Sequence, residues 1–199
     1  QEGIDFDPRL LSLRSRRNLY LEGYWQSENY FKDVEATIRE DLRIKPPGDE
    51  CNQNLANDIQ NHTSIAVHTR FFEPPSEAGS YNISGKYYQR ALQAMEKLVP
   101  GAHYYLFSDN PEASRAQVPM PDSRVTLVSH NLGDENAYAD LWLMSQCQHF
   151  IIANSTFSWW GAWLAANQGK IVVAPDIEMR DGVCGWGFKG LIPSDWIVL

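Results

Sequence analysis

The pattern of apolar and polar positions changes near residue 63. Residues 1–18 are polar and irregular, with a basic cluster at Arg14, Arg16 and Arg17 that reads as a solvated face or linker. From Tyr24 to Ile44 the residues Tyr30, Phe31, Val34, Ile38 and Leu42 recur at three- and four-residue spacing. That spacing predicts a helix, with Ser27 as its N-cap and Pro46-Pro47-Gly48 as its stop. Residues 49–63 are polar and admit a short helix ending before Thr63.

From Ser64 onward, short runs rich in β-branched and aromatic residues predict strands: SIAVHT (64–69), HYYLFS (103–108), RVTLVS (124–129), HFIIA (149–153) and KIVVAP (170–175). Helical patterns separate them at 86–99, 110–118, 135–147 and 158–167. In the first of these, Tyr87, Ala91, Leu92, Met95 and Leu98 share one face and Pro100-Gly101 ends it; Asn110 and Pro111 open the second. The strands carry few polar positions, as expected when both faces are covered. Strand–helix alternation of this kind predicts an α/β fold: a Rossmann-like parallel sheet with helices on both faces, connected right-handed. After Pro175 the chain reads as turns followed by LIPSDWIVL.

Composition narrows the partners. A chain of 199 residues with 43% hydrophobic residues can build a real core, and 21% charged residues is ordinary for a folded chain. A net charge of -8 argues against a nucleic-acid partner. It does not prevent an anion from being held locally by backbone N–H groups and an arginine. No apolar run approaches the ~18 residues that span a bilayer, and no signal-peptide pattern opens the chain. Cys51, Cys147 and Cys184 are odd in number and widely spaced, without a metal or disulfide pattern, so a cytoplasmic location is the simplest expectation.

In a parallel α/β sheet, ligands bind outside the carboxyl ends of the strands. Those ends carry His68, Thr69 and Arg70; Ser108, Asp109 and Asn110; Ser129, His130 and Asn131; and Asn154, Ser155, Thr156, Phe157 and Ser158. The set is rich in hydroxyls and suits a phosphorylated ligand. Arg70 can make a bidentate contact to phosphate oxygens, and the free N–H groups at the start of the last helix can take the rest. Each piece also has an ordinary structural reading: a strand-end histidine, a helix N-cap, an Asp140 on a solvated helix side. Convergence of four loops on one edge favours the site. Trp159, Trp160 and Trp163 sit at helical spacing and read as packing. No Walker-type or dinucleotide-type Gly-rich loop, no G-x-S-x-G elbow and no metal-ligand spacing is present.

Taken together, these stretches resemble the C-terminal part of the α-1,2-fucosyltransferase family of bacteria and animals. The longest match is DLWLMSQCQHFIIANSTFSWWGAWLAANQGKIVVAP, Asp140 to Pro175. LEGYWQSENYF (21–31), VHTR (67–70), YYQRAL (87–92), YLFSDN (105–110) and the closing IPSDWIVL follow the family's blocks in the same order. The resemblance implies a GT-B architecture, in which this chain supplies the C-terminal, donor-binding domain from residue 61. Residues 1–60 would be the tail of the N-terminal domain and a connecting helix. It also implies transfer of L-fucose from GDP-β-L-fucose to the 2-hydroxyl of a galactoside, with inversion and no obligatory metal or other cofactor. By motif match, Arg70 would hold the diphosphate, His68 would support the site and Asp140 would read guanine. Ser108, Asp109, Asn154, Ser155, Thr156, Phe157 and Ser158 would meet phosphates and ribose.

Two departures matter. The family's H-x-R-R-x-D reads His68-Thr69-Arg70-Phe71-Phe72-Glu73 here, so an arginine is lost and the aspartate becomes Glu73, which could assist the acceptor hydroxyl as a base. The family's G-G-L-G-N-Q-type segment is not in these residues. The expectation is a donor-binding half that is weakly active or inactive alone. An exposed domain face could drive a homodimer, and peripheral association with the inner face of a membrane is the variant left open. Two other readings stay open: a transferase using another nucleotide sugar, and a non-catalytic nucleotide- or carbohydrate-binding module.

Overall fold

A computed structural model describes residues 5–16, 18–23, 25–74, 81–176 and 186–199. Arg17, Tyr24, residues 75–80 of the loop after the first strand and Cys184 lie outside them.

Six strands form one sheet: β1 (Ser64–Thr69), β2 (His103–Ser108), β3 (Val125–Val128), β4 (His149–Ile151), β5 (Val172–Ala174) and β6 (Ile197–Val198). Their order is β3-β2-β1-β4-β5-β6, and every neighbouring pair is parallel. This is the Rossmann order, in which the winding reverses between β1 and β4. Six helices accompany it among the described residues: α1 (Glu35–Asp41), α2 (Glu50–Asn61), α3 (Gly85–Leu98), α4 (Pro111–Gln117), α5 (Ala137–Gln146) and α6 (Thr156–Leu164). None of them is long and apolar enough to cross a membrane.

Alternation along the strands explains the two layers. Ala66, Tyr105, Phe107, Phe150 and Val172 face one side, where they meet Ile59 of α2, Leu143 and Met144 of α5 and Trp159 and Trp163 of α6. Ile65, Val67, Tyr104, Leu106, Ile151 and Val173 face the other, under Tyr87, Tyr88, Ala91 and Met95 of α3. Burial of each large apolar side chain contributes about 1.5–3 kcal/mol. Two tyrosines of α3 add directed bonds to the strand ends. The Tyr87 hydroxyl reaches the carbonyls of Ile152 (2.8 Å) and Val173 (3.0 Å), and that of Tyr88 donates to the carbonyl of His68 (3.1 Å).

The tryptophans of α6 pack as their spacing predicts. Trp159 and Trp163 are buried and Trp160 partly so. Gly161 is small because a Cβ there would lie 3.2 Å from Met144 Cε, so α5 and α6 approach closely. The indole N–H of Trp159 donates to the Leu191 carbonyl (2.9 Å) and that of Trp163 to Glu28 Oε2 (3.1 Å). These bonds tie the crossing segment and the C-terminal tail to one helix.

That tethering corrects the single helix predicted over 24–44. The chain forms two 3₁₀ turns, Glu28–Tyr30 and Lys32–Val34, and only then α1. Ser27 caps the first turn, accepting from Asn29 N, while its hydroxyl donates to the Gly190 carbonyl at 2.6 Å. Phe31 stacks on Trp160 at 5.9 Å. Holding Ser27, Glu28 and Phe31 to these partners takes the backbone at Phe31 (φ -142°, ψ 4°) and Val34 (φ -119°, ψ 25°) out of helical geometry. Tertiary contacts outweigh the weak preference of a short helix. Val34, Leu42 and Leu98, expected on apolar faces, are exposed.

Candidate functional site

A cleft of about 690 Å³ lies across the carboxyl ends of β1, β2, β3 and β4, at the point where the winding reverses. Its two walls are the His68–Arg70 end of β1 and the Asn154–Phe157 turn into α6.

Arg70 is the first residue past β1, and its guanidinium is half exposed. Its Nη1 lies 3.0 Å from Asp109 Oδ2, and Asp109 Oδ1 accepts from Phe71 N at 3.1 Å. A pair this exposed adds at most about 1 kcal/mol to stability. Its effect is to hold the guanidinium over the cleft. Asp109 therefore meets the arginine directly. Ser108 joins the strand ends: its Oγ accepts from Thr69 Oγ1 (2.8 Å) and from Asn110 N (3.0 Å). Among the described lining residues Arg70 is the sole lysine or arginine.

His68 is 5% exposed, with its ring 5.5 Å from that of Phe157. Burial, with Arg70 beside it, pushes its pKa down to about 3, so the imidazole is neutral at physiological pH. Its Nδ1 is buried without a hydrogen-bond partner among the described residues, as is Asn154 Oδ1; the Asn154 amide group donates to the Tyr81 carbonyl at 3.0 Å.

At the other wall, Ser155 takes the N-cap position with extended backbone, and among the described residues no side chain makes a capping hydrogen bond to α6. The leading N–H groups of the helix are left for an anion, where the helix dipole adds to them. Thr156 is exposed and Phe157 partly buried; both line the cleft. Ser158 is fully buried and its hydroxyl donates to the Ser155 carbonyl at 3.1 Å, so its side chain is not part of the lining. Glu73 is also outside it; its main chain is pinned by Asn82, whose Nδ2 donates to the Glu73 carbonyl at 2.9 Å.

Asp140 projects from the first turn of α5 into the far end of the cleft. Burial raises its pKa above the ordinary carboxyl value, opposed by a 2.8 Å hydrogen bond from Asn131 Nδ2. Asn131 is itself held by Asn52, buried at the start of α2. Asn52 Nδ2 donates to Asn131 Oδ1 (2.8 Å) and Asn131 Nδ2 to Asn52 Oδ1 (2.9 Å). Asn52 in turn is fixed by Asp49, through Oδ1 on its backbone N–H and Oδ2 on its amide (both 2.9 Å). His130 Nε2 closes the group at 3.0 Å from Asn52 Oδ1.

The cleft thus brings together nine residues assigned to the site by motif match, His68, Arg70, Ser108, Asp109, Asp140, Asn154, Ser155, Thr156 and Phe157, with Ser129 and Asn131 of the strand-end set. It adds Gln26, which no pattern singled out, and the support from Asn52, whose sole sequence signal is its place three residues after the helix-capping Asp49. Among the described residues no three His, Cys, Asp or Glu gather as a group that could hold a metal ion.

Known proteins match this chain along most of its length. The model of glycosyl transferase family 11 matches residues 4–181. An α-1,2-colitosyltransferase of Escherichia coli is 31% identical over 160 residues, covering 77% of this chain and 53% of the relative. The O-antigen biosynthesis glycosyltransferase WbnK of Escherichia coli is 31% identical over 158 residues, covering 73% and 50%. A galactoside 2-α-L-fucosyltransferase of Caenorhabditis elegans is 26% identical over 202 residues, covering 95% and 55%. The chain spans about half the length of these relatives. Among solved structures, the E. coli heptosyltransferase WaaC with ADP-2-deoxy-2-fluoro heptose aligns at a TM-score of 0.43 and 9% identity, covering 88% of this chain and 50% of that one.

Proposed function

The chain belongs to glycosyl transferase family 11, and on that premise we propose that it is the donor-binding half of an enzyme that moves L-fucose from GDP-β-L-fucose to the 2-hydroxyl of a galactoside, with inversion. One observation carries the reading: Arg70, Asp140 and the uncapped start of α6 face a single cleft at the reversal point of the sheet.

The division of labour follows from charge. A carboxylate accepts from the adjacent N1–H and N2–H₂ donors of guanine, which suits Asp140. The diphosphate lies at the start of α6 with Arg70 across from it. As the bond to the sugar breaks, GDP gains negative charge, so Arg70 stabilises the transition state more than the ground state. Neutral His68 adds no charge to the diphosphate. Phe71, where the family carries a second arginine, leaves this burden on Arg70 and the helix. On this reading the acceptor side is built mainly by residues other than these, and the 199-residue chain is expected to bind donor and turn over slowly.

A specific observation favours a second reading, in which the donor is another nucleotide sugar: the altered motif Phe71–Glu73, together with a relative named a colitosyltransferase. A nucleotide-sugar panel read by thermal unfolding separates the two, since the true donor raises the midpoint most. Arg70→Ala tests both. Loss of a charge-assisted contact to phosphate weakens GDP binding by about tenfold to a hundredfold. Unchanged GDP affinity in that variant would remove Arg70 from the site and the reading with it.

A further inference from the structure

Beside the cleft lies a smaller niche of about 50 Å³, between α6 and the segment that crosses its start. Gln26 and Thr156 line both spaces, so the niche adjoins the cleft at the first residue of α6. Its remaining walls are mostly carbon: Trp25, Phe31, Trp159, Trp160 and Leu191, with Ser27, whose hydroxyl is already committed to the Gly190 carbonyl.

These walls are held firmly. Trp159 is bonded to Leu191 at 2.9 Å, and Trp160 stacks on Phe31 at 5.9 Å. Ser27 N donates back to the Trp25 carbonyl at 2.9 Å, which makes a tight turn at Gln26, and Ser27 Oγ pins that turn to Gly190. Gly190 has φ +88°, and a Cβ there would fall 2.6 Å from Phe6 Cβ, so the anchor requires glycine. Trp25 adopts φ 48° and is the one non-glycine residue with positive φ among those described. For a bulky side chain this costs on the order of 1–3 kcal/mol and persists only where the surroundings enforce it, most often at a ligand site.

The chemistry of the niche fits one part of a nucleotide sugar. With the diphosphate at the start of α6, the sugar lies just beyond, next to Thr156 and Gln26. A hydroxyl pushed among the indole rings would give up water without gaining a partner, whereas a methyl group gains by burial. We infer that this niche receives the C6 methyl of a 6-deoxy sugar on the nucleotide, and that Trp25 sets the preference for that sugar over its 6-hydroxy counterpart. The inference rests on the donor-binding reading above and adds a recognition element to it.

Calorimetric titration of the 199-residue chain with GDP, GDP-L-fucose and GDP-L-galactose tests it. GDP-L-galactose differs from GDP-L-fucose by one hydroxyl at C6. The expected result is a preference for GDP-L-fucose of about tenfold to a hundredfold, the range a hydrophobic site gives for one small group. Trp25→Gly removes the ring and adopts φ 48° without strain, which offsets part of the packing lost against Tyr30, and its preference should fall to near equality. The preference is a ratio within each protein, so a general loss of affinity does not enter it. If Trp25→Gly does not unfold cooperatively, Trp25→Asn, which tolerates the left-handed region, carries the same readout. An intact preference in the variant, or GDP binding without any preference in the parent chain, overturns the niche while leaving the donor reading standing. Absence of binding by all three ligands overturns both.

Discussion

At neutral pH His68 is an uncharged ring beside a guanidinium, and that state constrains how the site works. A protonated imidazole here would be a second cation under the diphosphate; burial prevents it. The same burial has a price in acid. The folded-state pKa of about 3 lies below the ordinary 6.5, so between these values the unfolded chain binds more protons than the folded one. Stability from this residue is complete above pH 6.5 and is lost as pH falls toward 3. Urea unfolding of the parent chain and of His68→Gln should therefore diverge across that window. The parent's stability should fall more steeply by up to about 1.4 kcal/mol per pH unit. Parallel pH profiles would mean that His68 titrates normally in the fold. Arg70 is positioned by contact: its partner Asp109 is fixed by Phe71 N and keeps the guanidinium over the cleft before any ligand arrives.

Between elements, the Asp140 end of the cleft depends on α2. The reciprocal amide pair of Asn52 and Asn131 links the start of α2 to the loop before α5, and Asn131 passes the constraint to Asp140. Asn52→Ala removes the donor to Asn131 Oδ1 and to the amide-facing oxygen of Asp49, which should destabilise the fold by about 1–3 kcal/mol. It should also loosen Asp140, so the ratio of GDP to ADP affinity should fall, while a merely weakened fold would keep that ratio. Long-range pairs of this kind were not legible in the sequence. Asn52 and Asn131 stand 79 residues apart, and Arg70 and Phe71 meet Asp109 across 38 to 39. The elements themselves were legible where burial on both faces made the strands apolar, as in SIAVHT, whose six residues are all buried. β6 escaped notice because it is only two residues long, and the 24–44 segment was misread because its apolar spacing serves α6 and the tail through Ser27, Glu28 and Phe31.

On the scale of the whole molecule, an acidic chain of net charge -8 presents its reversal-point cleft to an anionic ligand. It does so with one arginine, an open helix start and a partly buried carboxylate, the set on which the proposed recognition of a guanine nucleotide rests. Trp159 and Trp163 brace this arrangement by bonding the C-terminal tail and Glu28 to α6, and Asn154, Ser155 and Thr156 before them line the cleft. The central claim, that the cleft reads guanine and holds a diphosphate, is tested most directly by calorimetric titration of the chain with GDP, ADP and UDP at one ionic strength. Two hydrogen bonds from guanine to Asp140 predict GDP binding tighter than ADP or UDP by about tenfold or more. Equal affinities for the three nucleotides, or no binding of GDP, would contradict it.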